Sequence, residues 1–116
     1  MNINSKLINI LKTATSLPVA QDMYDGTEDK FITFTYQAER PEAFGDNKPI
    51  ADTVYLQIQL WTPKKYNYLT MKDTIRDALE NNDFIVTSMR SFLGDAINGT
   101  EKIRDTIIEA EYTASR

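Results

Sequence analysis

The sequence contains no cysteine and no histidine. Together these absences remove disulfide staples, thiol nucleophiles, thiolate and imidazole metal ligands, histidine triads and imidazole general bases. The expectation is a protein that is not an enzyme and uses no cofactor and no metal. Glycine and proline are scarce, at four each, which argues against a fibrous or low-complexity chain. No basic run exceeds the pair Lys64-Lys65 and the formal net charge is −4, so a surface built to neutralise phosphates is missing. An acidic surface repels a polyanion, which is compatible with DNA passing by without specific binding. Apolar runs long enough to span a bilayer are also missing, and Met1 to Ser5 shows no basic region leading into an apolar stretch. A cytoplasmic protein without membrane contact is expected.

What remains is ordinary globular material: 116 residues, enough for one domain over residues 1–116 with one core. Ile3, Leu7, Ile10, Leu11 and Ala14 recur at helical spacing and Pro18 closes the segment, predicting a helix over 3–15. Val19 to Tyr24 reads as a short extended piece, and Asp25-Gly26 as the turn of a hairpin leading into Phe31 to Tyr36. In Thr53 to Thr62, Val54, Leu56, Ile58 and Leu60 alternate with Tyr55, Gln57, Gln59 and Trp61, which predicts a strand with one core face and one semi-polar face. Pro63 ends it, and Tyr68, Met71, Ile75, Ala78 and Leu79 mark a second helix over 66–81. Two more strands are expected at Phe84 to Leu93 and Ile103 to Ala114, joined through an Asn98-Gly99 turn. The fold class is therefore α+β, an antiparallel or mixed sheet with two helices packed on one face, in the order α-β-β-β-α-β-β.

Candidate chemical sites are weak. Asp22, Asp25, Glu28 and Asp29 lack the alternation of a calcium loop and read as a solvated acidic hairpin. Gly94 and Gly99 have phosphate-loop spacing, but Thr100 stands where the lysine is required. Asn98-Gly99-Thr100 fits a glycosylation acceptor but lacks a secretion signal. Glu109 and Glu111 share a side of the last strand, and protection of an acidic strand edge explains them better than paired acid–base work. Trp61, Tyr66 and Tyr68 fall where the third strand hands over to the second helix, an aromatic set suited either to binding a partner or to shielding the core. Gln37 to Asp52 reads as a loop of about sixteen residues, longer than a hairpin needs. It carries Glu39, Arg40, Glu42, Phe44, Asp46 and Lys48, which with the three aromatic residues form the expected assembly interface.

The run FITFTYQAERPEAFGDNKPIADTVYLQIQLWT, followed by a helix and two strands, resembles the tail-terminator proteins of long-tailed bacteriophages and prophages, with a likeness extending from Leu7 to Tyr112. The resemblance implies a virion tail protein, assembled in the bacterial cytoplasm, that forms a ring, usually hexameric. Such a ring stops tail-tube polymerisation, contacts the tail-tube protein below and a head-completion or connector protein above, and lets DNA cross its lumen. The alternatives are another head-tail connector or minor tail component, or a small intracellular protein-binding module. A carboxylate-dependent hydrolase stands behind both.

Overall fold

The computed structural model describes residues 1–95 and 102–116, and the side chains within them other than those of Ala43, Phe44 and Asp95. Its elements are α1 (Asn4–Thr15), β1 (Val19–Gln21), β2 (Phe31–Gly45), β3 (Lys48–Pro63), α2 (Tyr68–Glu80), β4 (Ile85–Asp95) and β5 (Lys102–Ser115). The α+β class and the order α-β-β-β-α-β-β are those expected from the sequence. The expected Asn98-Gly99 turn, the glycosylation pattern and the distal half of the phosphate-loop pattern lie outside the described residues.

The strands form one mixed sheet in the order β1-β2-β3-β5-β4, antiparallel throughout except for β1, which runs parallel to β2. The period-two alternation puts Ile32, Phe34, Val54, Leu56, Ile58, Leu60, Ile108 and Ala110 on one face, and both helices cover that face with Leu7, Leu11, Ile75 and Leu79. Phe34, Leu7, Leu11, Ile58, Ile75 and Leu79 lose all solvent exposure. Each such side chain stabilises the fold by roughly 1.5–3 kcal/mol relative to an exposed one. Tyr36 anchors the start of α1: its hydroxyl accepts the Ile3 N–H at 3.0 Å and donates to Asn4 Oδ1 at 2.6 Å. At the other end Ser16 turns left-handed at φ 60° and its N–H closes on the Lys12 carbonyl, after which Pro18 prevents continuation.

Three expectations are corrected. The Asp25-Gly26 segment does not close a hairpin, because β1 pairs parallel with β2 in the register Val19↔Ile32. Parallel neighbours require the connection to run back to the end at which the first strand began, and residues 22–30 do this after Asp22 turns left-handed at φ 64°. Gly26 instead admits the ring of Tyr24, which occupies the space an added Cβ would need.

The second correction concerns Gln37 to Asp52, which is not a loop. Strands β2 and β3 run on through it to a two-residue turn at Asp46-Asn47, where φ is 52° and 64°, the sign that suits the twist of hairpin strands. Prolines are tolerated because each strand has an open side there: among the described residues β2 has no outer neighbour past Phe34, and β3 none before Ala51. Gln37 is the extra residue of a bulge between Tyr36 and Ala38. The third correction is that β5, with Glu109 and Glu111, is an interior strand between β3 and β4 rather than an edge. Glu109 pairs with Arg90 on β4 at 2.6 Å.

Candidate functional site

Two features stand at opposite ends of β3. The first is the arm made by β2 and β3 beyond the helices, which contributes to a molecule measuring 58 × 24 × 22 Å. Its base is gripped by the end of β5: Ser115 pairs with Ala51, Thr53 and Thr113 share a 2.6 Å hydroxyl bond, and Arg116 binds Asp52. Only the tip beyond Ala51, about residues 43–49, is a bare two-stranded ribbon.

Register distributes the expected interface residues over both faces of this arm. Glu39 is opposite Val54 on the helix side, where it accepts from the Met1 amino group at 2.6 Å. Arg40, opposite Thr53, lies on the helix-free side with its guanidinium 5.3 Å from the Tyr55 ring centre, and Glu42, opposite Ala51, follows it. Asp46 begins the turn. Lys48 and Ile50, two residues apart on β3, share a face, both exposed, and Lys48 makes no ion pair among the described residues. Phe44 pairs with Pro49 through its backbone, and its side chain lies outside the described part of the structure.

The expected aromatic set separates. Lys30 Nζ stands 5.2 Å from the Tyr66 ring centre and the Arg104 guanidinium 4.3 Å from that of Tyr68. Trp61 instead points to the helix-free face, where its Nε1–H donates to Thr33 Oγ1 at 3.1 Å and its ring stacks 6.1 Å from Phe31. Phe31 in turn stacks 4.4 Å from Tyr24, the ring admitted by Gly26.

Trp61 belongs to the second feature, a groove of about 390 Å³ on the helix-free face. One rung of the sheet makes its floor: Phe31 on β2 pairs with Trp61 on β3, Trp61 with Asp105 on β5, and Asp105 with Phe92 on β4. Asp105 is thus set between Trp61 and Phe92 in a half-buried position. Gln59 Nε2 donates to its two oxygens at 3.0 and 3.2 Å. Burial raises its pKa above the usual carboxylate value, and the Gln59 hydrogen bond and the charge of Arg90 offset this only in part. Met23 (77% exposed) and Phe92 (54% exposed) rim the groove, and Asp22 adds a second carboxylate. Among the described residues no lysine or arginine lines it.

Sequence reasoning found Trp61 but missed the groove, because Tyr24, Phe31, Trp61, Phe92 and Asp105 come from four strands and one connection. The available signal was Phe92, an aromatic residue on the polar phase of β4, and Asp105, a carboxylate between Ile103 and Ile107 on one phase of β5.

Asp22, Asp25, Glu28 and Asp29 are exposed, and Asp29 lies 3.5 Å from Lys30. Among the described residues no three carboxylates converge in a way that could hold a metal ion. No described helix is long and apolar enough to cross a membrane.

No protein-family model and no curated protein matches the chain. A solved structure aligns with it at a TM-score of 0.51 and 13% identity, over 97% of this chain and 90% of the other. Likeness at that level of identity reflects a shared arrangement of helices and strands and carries no activity from one chain to the other.

Proposed function

We propose that this protein is a structural component of a bacteriophage tail: a tail-completion protein that forms a ring, hexameric by the family resemblance, at the head-proximal end of the tail tube. There it stops tube polymerisation and joins tail to head. The observation that carries the reading is the arm. A hairpin that projects past the helices, with charged residues on both faces and no described side chain of its tip in the buried core, adds little to the stability of its own subunit and is of use to a neighbour. The run from Phe31 to Thr62, on which the family resemblance rests, spans that hairpin and the strand behind it. The partners in this reading are further copies of the chain, the tail-tube protein and a head-completion or connector protein. DNA passes through the lumen without specific binding, and the chain works in the host cytoplasm before joining the virion tail.

Electron microscopy of particles from a phage lacking this protein tests the reading. Full heads separated from tails, with many tubes overlong, are the expected result; normal virions would end it. The second reading, a small intracellular protein-binding module, draws on the Trp61 and Phe92 groove. It calls for a monomer that binds its partner one to one and forms no ring at any concentration.

A further inference from the structure

We infer that the arm tip of one subunit seats in the aromatic groove of the next, with Lys48 on Asp105 and Ile50 against Phe92 and Met23, making a head-to-tail contact between copies of this chain. This rests on the ring-forming reading above and names the surfaces that would meet.

The groove defines its occupant by chemistry. A carboxylate held between two aromatic side chains, with a second carboxylate on the rim and no cation among the described lining residues, suits an ammonium or guanidinium whose stem lies along the rings. Such a cation would also relieve the unfavourable burial of the Asp105 charge. The exposed rim residues Met23 and Phe92 ask for an apolar neighbour beside that cation. Lys48 and Ile50 supply both, two residues apart on one face of the arm tip; Lys48 has no ion-pair partner among the described residues and Ile50 is 52% exposed.

The same subunit cannot make this contact. Lys48 and Trp61 lie thirteen positions apart on one extended strand, about 40 Å at the rise of a β-strand. They also present opposite faces, the arm residues on the helix side and the groove on the helix-free side. A second copy resolves both problems, because its arm can overlie the first copy's bare sheet face as one shingle overlies another. The two surfaces are different patches, so the contact is heterologous, and repetition gives a ring when the rotation closes and a filament when it does not.

The absence of cysteine allows a clean test. Ile50→Cys places a thiol on the arm. Gly94→Cys places one at the groove, where an added Cβ meets nothing within 4 Å among the described residues. Mixed at high concentration under mild oxidation, the two variants should give mainly arm-to-groove heterodimers, and a chain carrying both substitutions should give a ladder ending at the ring. Adding Lys48→Glu to the arm variant, or Phe92→Ser to the groove variant, should cut the cross-link at least tenfold, with melting temperatures confirming that each chain is folded. Arm-to-arm or groove-to-groove dimers, no cross-link, or a yield indifferent to Lys48→Glu would overturn the inference. Native mass spectrometry separates this from the broader reading. A ring without the cross-link sinks only the proposed contact, whereas the cross-link in a protein whose loss leaves tails normal sinks only the tail function.

Discussion

Arg116 holds Asp52 in a two-pronged ion pair, Nη2 to Oδ1 at 2.8 Å and Nε to Oδ2 at 2.9 Å, while its backbone N–H donates to the Ile50 carbonyl at 2.9 Å. One residue thus fastens the end of β5 to the base of the arm. The Arg116 hydrogen bond is the main cause of the lowered Asp52 pKa. Because the folded value lies below the unfolded one, the contribution is present above about pH 4 and fades as pH falls through the folded value. We expect NMR titration to find Asp52 below the ordinary aspartate range and Arg116→Ala to bring it back. Amide exchange at the base of the arm should quicken in that variant while exchange in α1 and α2 stays unchanged.

Asp105 shows the opposite shift, with the opposite sign of linkage. Its folded pKa is raised, chiefly by burial, so its ionisation disfavours the fold: stability is highest below the unfolded value, declines as pH rises to the folded value and is level above it. Asp105→Asn keeps an acceptor for Gln59 and removes the charge. The variant should melt higher than the parent at pH 7, by up to about 1 kcal/mol after allowing for solvent screening, and equally at pH 3. A lower melting point at pH 7 would mean that the carboxylate is stabilised within its own subunit.

The Thr106 hydroxyl is fully buried on the core face between Leu60 and Ser91 and has no hydrogen-bond partner among the described residues. An unmet buried hydroxyl costs about 1–3 kcal/mol. Thr106→Val has nearly the same shape without the polar atom, and we expect it to raise stability by about 1 kcal/mol in urea denaturation. A loss of stability would place an ordered water on that hydroxyl.

Gly26 and Trp61 are linked through two rings. An alanine at 26 would collide with the Tyr24 ring and push it from its stack on Phe31, which abuts Trp61. Trp61 is the sole tryptophan, so fluorescence reports this wall of the groove directly. Gly26→Ala should shift its emission and reduce the arm-to-groove cross-link while leaving the melting temperature within about 1 kcal/mol of the parent, since the change touches no core residue. An unchanged spectrum would show that Tyr24 can yield without disturbing the groove.

These residues also show what was legible beforehand. The helices and the two faces of β3 could be read directly, because Leu7, Leu11, Ile75 and Leu79 keep a helical period and Val54 to Leu60 a strict period of two. The arm could not. Pro41, Gly45 and Pro49 argue locally for a loop, and only pairing between β2 and β3, steadied by β5 as far as Ala51, turns them into strand. The direction of β1 was equally hidden: three residues carry no record of which way their neighbour runs, and Asp25-Gly26 suggests a reversal that residues 22–30 do not make. The groove is a product of register, which aligns Phe31, Trp61, Asp105 and Phe92 across strands far apart in the chain.

Pro41 gives the two margins of the sheet unequal susceptibility to aggregation. Along β2 past Phe34 the outer margin is bare, but a residue without an N–H interrupts it and Gln37 buckles it, so an extended segment from elsewhere finds no continuous ladder there. Along β4 the margin runs for 11 residues with no proline, broken only by the irregularity between Val86 and Ser88, and Ile85, Phe92 and Leu93 are exposed along it. Amyloid-like stacking of whole sheets needs two receptive margins, and among the described residues only β4 offers a long one, since β1 is three residues. A misfolded encounter can therefore join two copies through β4 but has poor means of adding a third, a brake on fibril growth.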